Sequence, residues 1–153
     1  MVKKAKFVWK LLILGDTAVG KTSLLNQYVS HSFKEDYKAT LGVNIIIKNV
    51  EMEEIDGIVR LILWDIAGQD RYEKSRKAYY EGCSGVFFVY DITRYSSFEN
   101  IEIKWLEDLR GYLRKEDCPY ILVGNKSDLE KQRGVFKENG ARLAEKINAI
   151  DFI

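Results

Sequence analysis

Apolar residues fall in short, dense blocks along this 153-residue chain, with polar stretches between them. Phe7-Val8-Trp9-Lys10-Leu11-Leu12-Ile13-Leu14, Gly85-Val86-Phe87-Phe88-Val89-Tyr90 and Tyr120-Ile121-Leu122-Val123 are nearly continuous apolar runs. Runs of that length, bounded by glycine or polar residues, predict strands buried on both faces of a sheet. Val43 to Ile55 and Ile58 to Asp65 flank Asp56-Gly57, a turn pair that predicts an antiparallel hairpin. Helical spacing takes over elsewhere. A helix is expected from about Gly20 to Val29 or Ser30, and a polar, irregular one from Arg71 to Tyr80. A third is expected from Phe98 to about Leu113, N-capped by Ser97, with Ile101, Trp105, Leu106, Leu109 and Leu113 inward. A fourth runs from about Val135 to Ile147 with Leu143 and Ile147 inward, followed by a last strand, Ala149 to Ile153. The polar stretch His31 to Thr40 has no period and reads as a long loop, the kind that is usually functional. Strands alternating with helices specify an α/β protein, its sheet mostly parallel with one antiparallel edge strand.

Composition narrows the class without fixing it. Apolar residues make up 46% and charged residues 31%, ordinary for a globular protein, and the length suits a single domain spanning 1–153. A formal net charge of +1 supplies no bulk field for nucleic acid or an anionic membrane. The two cysteines, Cys83 and Cys118, have no motif spacing, so a reducing, cytoplasmic setting is expected and a structural disulfide is not. His31 stands alone and reads as a surface residue.

The first strand runs directly into Gly15-Asp16-Thr17-Ala18-Val19-Gly20-Lys21-Thr22, and a helix follows from Ser23 onward. This is G-x-x-x-x-G-K-[ST], a phosphate-binding loop between strand and helix. Successive backbone N–H groups opening onto a helix N-terminus match the acceptor oxygens and charge of a polyphosphate. The glycines let the backbone turn and approach without a Cβ in the way. Lys21 is expected on the β- and γ-phosphates, and the Thr22 hydroxyl on a Mg²⁺ ion bridging them. In parallel sheets the ligand lies beyond the strand C-termini. Thr40, Asp65 to Gln69 and Asn125 to Asp128 all fall at that edge.

Asp65, closing an apolar strand, fits a magnesium-holding carboxylate. Gly68 can bring a backbone N–H to the γ-phosphate, and Gln69 can orient an attacking water. Asn125-Lys126-Ser127-Asp128 addresses the base. One carboxylate can accept both the N1–H and the N2–H₂ donors of guanine, and adenine offers no such pair, so Asp128 selects guanine. Asn125 would tie this loop to its neighbours, and the stem of Lys126 would lie over the purine. Taken singly, Asn-Lys-Ser-Asp is ordinary turn composition; in register with the other two motifs it is specific.

In this order the motifs resemble those of Ras-superfamily small GTPases over nearly the whole chain. Thr40-Leu41-Gly42-Val43-Asn44, Trp64 to Tyr72 and Tyr79 to Gly85 are most similar to the Rab branch, with Leu41, Ile66 and Asp70 as departures. The resemblance implies a three-layer P-loop NTPase (Ras-like) fold with six strands. It implies a switch that binds GTP or GDP with Mg²⁺ and hydrolyses GTP to GDP and phosphate, regulating vesicle traffic. Thr40 would be the switch I threonine, on Mg²⁺ and the γ-phosphate. Phe33 would lie against guanine, and Gly68 to about Tyr80 would be switch II. The implied partners are an exchange factor, an activating protein that supplies an arginine in trans, and effectors reading the switch loops. Thr17 and Ala18 stand where some relatives have glycine, which points to slow hydrolysis.

Relatives continue past the position of Ile153 into a guanine-contacting loop, a final helix and a prenylated cysteine tail. The expectation is therefore a C-terminally incomplete domain without its last helix, with weakened guanine affinity and no lipid anchor. An uncovered apolar sheet face is expected with it, which oligomerisation would mask. Two other readings share part of the motif set. A nucleotide-dependent binding module with negligible turnover keeps every binding motif. A P-loop nucleotide kinase would need an arginine-bearing lid and has no use for Asn125 to Asp128.

Overall fold

The computed structural model describes residues 4–31, 40–113 and 118–153. Six strands form one sheet: β1 (Ala5–Leu14), β2 (Val43–Met52), β3 (Gly57–Ile66), β4 (Gly85–Asp91), β5 (Tyr120–Asn125) and β6 (Asp151–Phe152). Their order is β2-β3-β1-β4-β5-β6. β2 runs antiparallel to β3, and every other neighbouring pair is parallel. This is the Ras-like P-loop NTPase sheet that the alternating pattern and the resemblance implied. β4 is buried along almost its whole length, so it needs apolar side chains on both faces, whereas β1 departs from that expectation: it is buried only from Leu12 to Leu14, with Phe7, Val8 and Trp9 exposed.

One face is covered by α3 (Tyr95–Asn100), a π-helical segment (Ile101–Leu106), α4 (Glu107–Arg110) and α5 (Lys137–Ile147). Leu12, Leu14, Phe88, Tyr90 and Leu122 meet Ile101, Trp105, Leu109, Leu143 and Ile147 there. The other face carries Ile13, Leu63, Val89 and Val123. Among the described residues, only α1 (Lys21–Ser30) brings a helix to that side, through Leu25 and Val29. Leu11, Leu61, Phe87 and Ile121 are consequently only half-buried, while Phe7 and Trp9 are 49% and 40% exposed. Because β1, β3, β4 and β5 run the same way, Leu14, Ile66, Asp91 and Asn125 end along one edge, and the polar motifs follow them there.

Several boundaries depart from expectation. β2 stops at Met52, and a 3₁₀ turn, Glu53–Ile55, with Asp56 in the left-handed region (φ 43°), completes the hairpin. Ser97 is not the cap of its helix. The helix starts at Tyr95, after Arg94. Ser97 Oγ instead accepts the Asp91 N–H (3.0 Å) and donates to Arg94 O (2.7 Å), fastening the helix start to the end of β4. The next helical stretch is not uniformly α. Six residues are π-helical, and the adjacent Trp105 and Leu106 within them are both buried. Between β3 and β4, a 3₁₀ turn (Asp70–Tyr72) leads into a five-residue α2 (Glu73–Lys77), shorter than the helix expected to Tyr80. α5 begins two residues later than Val135. Cys83 and Cys118, 35 residues apart in the chain, have sulfurs 2.7 Å apart, because β4–β5 pairing aligns the segments that precede them. The segment His31 to Thr40, including Phe33, lies outside the described residues except at its two ends; His31 itself is exposed.

Candidate functional site

The phosphate loop is shaped by close backbone approach. A Cβ on Gly15 would lie 2.1 Å from Val89 O, and one on Gly20 (φ 96°) 2.4 Å from Asn125 Nδ2. α1 opens with no side-chain cap, so its first N–H groups are left for an anion. Lys21 is 6% exposed, and its ammonium donates to Gly15 O (2.8 Å) and Asp16 O (2.9 Å). Burial pulls its pKa down to about 8; Asp65 and Asp16 oppose the fall, and Arg94 and Lys104 add to it. A cation held at that cost is stabilised by a polyphosphate placed against it.

Thr22, Thr40 and Asp65 converge. Thr22 Oγ1 donates to Asp65 Oδ2 and lies 2.8 Å from Thr40 Oγ1, which is itself 3.5 Å from Asp65 Oδ2. Asp65 is fully buried; burial raises its pKa, against the hydrogen bond from Thr22, the charge of Lys21 and the bond from Thr40. Its other oxygen, Oδ1, is buried without a hydrogen-bond partner. A buried carboxylate oxygen awaiting a ligand, beside two hydroxyls, fits a hard divalent cation. Among the described residues no group of three or more His, Cys, Asp or Glu gathers. A site of one carboxylate and two hydroxyls suits Mg²⁺, which keeps several waters and takes oxygens from a bound phosphate.

The loop Asn125 to Asp128 is sewn onto the loop Gly15 to Thr22. Asn125 Nδ2 donates to Val19 O (2.9 Å), and Lys126 Nζ donates to Ala18 O (2.9 Å) and pairs with Asp91 (2.7 Å). Burial pushes the Asp91 carboxyl up, but bonds from Lys126 and from the Thr93 hydroxyl and N–H outweigh it and hold the group below its ordinary range. Lys126 sits in the left-handed region (φ 68°), which turns the chain so that Asp128 comes to the exposed start of the 3₁₀ segment Ser127–Gln132. Asp128 makes no hydrogen bond or ion pair among the described residues, so its carboxylate is open to a ligand. Ser23, half-buried, follows Thr22 in the first turn of α1.

The segment after β3 meets the phosphate loop at Gly68. A Cβ there would lie 2.4 Å from Thr17 N, 2.6 Å from Asp16 C and 2.7 Å from Gly15 O, all backbone atoms that cannot swing away. Gly68→Ala is therefore expected to lift residues 67–70 off the loop at a cost of about 1–3 kcal/mol in stability. Amide hydrogen exchange checks this; unchanged protection in that segment with an unchanged Tm would contradict the contact. Gln69, next in the chain, is half-buried beside a cleft of roughly 370 Å³ that Asp16, Thr17, Arg94 and Lys104 also line.

Sequence reading missed the supports behind these motifs. The Asp16 carboxylate turns away from the phosphate side and accepts Trp105 Nε1–H (2.7 Å) and Asn100 Nδ2–H (2.6 Å). Arg94 Nη2 donates to Thr17 O (2.6 Å). Arg76 Nη1 donates to Gln69 O (3.2 Å). Asp91, by contrast, was findable: it closes β4 on the same edge as Asp65 and Asn125.

Comparison with known proteins gives this arrangement its relatives. The family model of the Ras family matches residues 10–153. Ras-related protein RABA6b of Arabidopsis thaliana is 41% identical over 143 residues, which cover 94% of this chain and 61% of that protein. RABA4b of the same plant is 42% identical over 143 residues, covering 94% and 62%. Ras-related protein Rab-15 of Homo sapiens is 40% identical over 146 residues, covering 95% and 66%. The chain spans less than two thirds of the length of these curated relatives. A phosphate loop, a buried Asp65 with two threonine hydroxyls and a tethered Asn-Lys-Ser-Asp loop, all within the residues that the family model matches, leave a single assignment: the chain belongs to the Ras family, in its Rab branch.

Proposed function

We propose that residues 1–153 act as one small-GTPase domain that binds GTP or GDP with Mg²⁺, hydrolyses GTP slowly, and switches partners in vesicle traffic. The observation that carries the reading is the convergence of Lys21, Thr22, Thr40 and Asp65 at one end of a loop whose backbone also holds Asn125 and Lys126. One crevice thereby presents cation and N–H donors to a triphosphate tail and an open carboxylate, Asp128, to a guanine edge. Bound Mg²⁺ supplies neutralisation of the phosphate charge that grows as the γ-phosphoryl group leaves. Thr22, Thr40 and Asp65 are the residues that would hold it.

In this reading Gln69 orients a water in line with the γ-phosphate. Lys21 and the N–H groups of residues 15–22 stabilise the oxygens as negative charge spreads over them. When the γ-phosphate departs, Thr40 and Gly68 lose their common ligand and the two switch segments relax. Exchange factors, activating proteins and effectors would read that difference. No helix among the described residues is long and apolar enough to cross a membrane. Gln69→Leu tests the catalytic part. Single-turnover hydrolysis with Mg²⁺ is expected to slow at least about tenfold with guanine-nucleotide affinity retained. Hydrolysis at the parental rate, with and without an activating protein, would show that Gln69 has no such role.

A further inference from the structure

Two cations are buried among the described residues, Lys21 and Arg76. The first faces the phosphate site. Arg76, 1% exposed, does not, and burying a guanidinium costs several kcal/mol unless its surroundings compensate. Its surroundings are specific. Nε donates to Asp108 Oδ2 (3.2 Å), Nη1 donates to the backbone oxygen of Gln69 (3.2 Å), and the guanidinium carbon sits 4.6 Å from the centre of the Trp105 ring. Asp108 is held in turn by the Tyr80 hydroxyl (2.8 Å), with Lys77 Nζ 3.8 Å from its other oxygen.

The element that Arg76 belongs to has little else to hold it. α2 is five residues long and entirely polar, apart from the aliphatic stems of its own side chains. A helix that short is not stable by itself, and Arg76 is its single buried residue. Arg76 is the buried contact that docks α2, and one of its three partners is the carbonyl of Gln69; Lys77 adds a half-exposed contact to the same Asp108 and to the Tyr112 ring. The Trp105 ring stacked on Arg76 also donates its N–H to Asp16 in the phosphate loop. Gln69 O, Arg76, Trp105 and Asp16 form one continuous line of contacts from switch II to the phosphate loop.

We infer that Arg76 is a positioning residue for Gln69: by bridging the Gln69 carbonyl to Asp108 and Trp105, it fixes the Gln69 backbone relative to the phosphate loop. The inference rests on the proposed role of Gln69 in hydrolysis. An arginine is needed because its planar fork reaches two acceptors at once while its face stacks on a ring. A lysine keeps the charge for Asp108 but offers a single donor head.

Arg76→Lys, Gln69→Leu and the double variant test it in the full chain, by single-turnover GTP hydrolysis with Mg²⁺ and by GDP affinity. Arg76→Lys is expected to slow hydrolysis about tenfold, as misplacement of an orienting group does, and to change GDP affinity less than about twofold. In the Gln69→Leu background the same change is expected to have no further effect, because the residue it positions is gone. Asp108→Asn, which leaves Arg76 in place but removes its anchor, is expected to slow hydrolysis in the same direction and decides the matter if the lysine variant does not fold. Parental hydrolysis in the folded Arg76 and Asp108 variants, with Gln69→Leu slow, overturns the inference alone. So does a tenfold loss that repeats in the Gln69→Leu background, which marks a purely structural residue. A Gln69→Leu variant as fast as the parent overturns the reading beneath it, and the inference falls with that reading.

Discussion

Asp128→Ala is expected to remove most of the preference for GTP over ATP, a loss of about 10²–10³-fold in relative affinity, without changing thermal stability. Two observations fix both halves of this result. Asp128 is exposed and makes no hydrogen bond or ion pair among the described residues, so the fold does not use its carboxylate. The loop that presents it is independently held by Asn125 on Val19 O and Lys126 on Ala18 O, so truncating Asp128 leaves the crevice in shape. Sites built to hydrogen-bond one partner reject an analogue lacking it by large factors, and here the acceptor is charged. Competition of GTP and ATP against a fluorescent guanine nucleotide measures the ratio. A variant as selective as the parent would place guanine recognition elsewhere.

The second large effect is expected from Lys21→Met. The ammonium is the only side-chain cation at the phosphate end among the buried described residues, and it also bridges Gly15 O and Asp16 O. Its loss is expected to weaken GTP and GDP by about 10²–10³-fold, the range for losing a desolvated charge-assisted contact. The empty protein responds differently. Burial already holds the Lys21 pKa near 8, so the free chain gives up little when a buried charge becomes an apolar chain of similar length. The expected signature is a Tm close to the parent's without nucleotide, and loss of the upward shift that GDP and Mg²⁺ produce in the parent. A full GDP-induced shift in the variant would remove Lys21 from the phosphate site.

What could be read in advance was what is local. Gly15 to Thr22 and Asn125 to Asp128 are contiguous, and each carries its chemistry within eight residues or fewer, so the motif and the site are nearly the same thing. β4 and β5 were equally legible, because a strand buried on both faces must be written in apolar residues. The supports were not legible, because they are made by residues far apart whose types are unremarkable alone. Asp16 reads as a loop acid until Trp105, 89 residues away, is seen to donate to it. Arg76 reads as one more charge on a polar helix, yet it is that helix's buried anchor. Ser97 was misassigned for a related reason. A serine before a helical run looks like a cap, but Asp91 at the end of β4 competes for its hydroxyl and wins. The π-helical segment leaves no signature in its residue types.

The central claim is that one crevice grips a triphosphate through the phosphate loop and reads guanine through Asp128. Measuring the affinities of GDP and ADP for the purified chain, with Mg²⁺ present and with Mg²⁺ chelated, tests it most directly. The account predicts GDP binding at least about 10³-fold tighter than ADP, with affinity falling when the metal is withdrawn. Equal binding of the two nucleotides, or retention of neither in Mg²⁺, would contradict it.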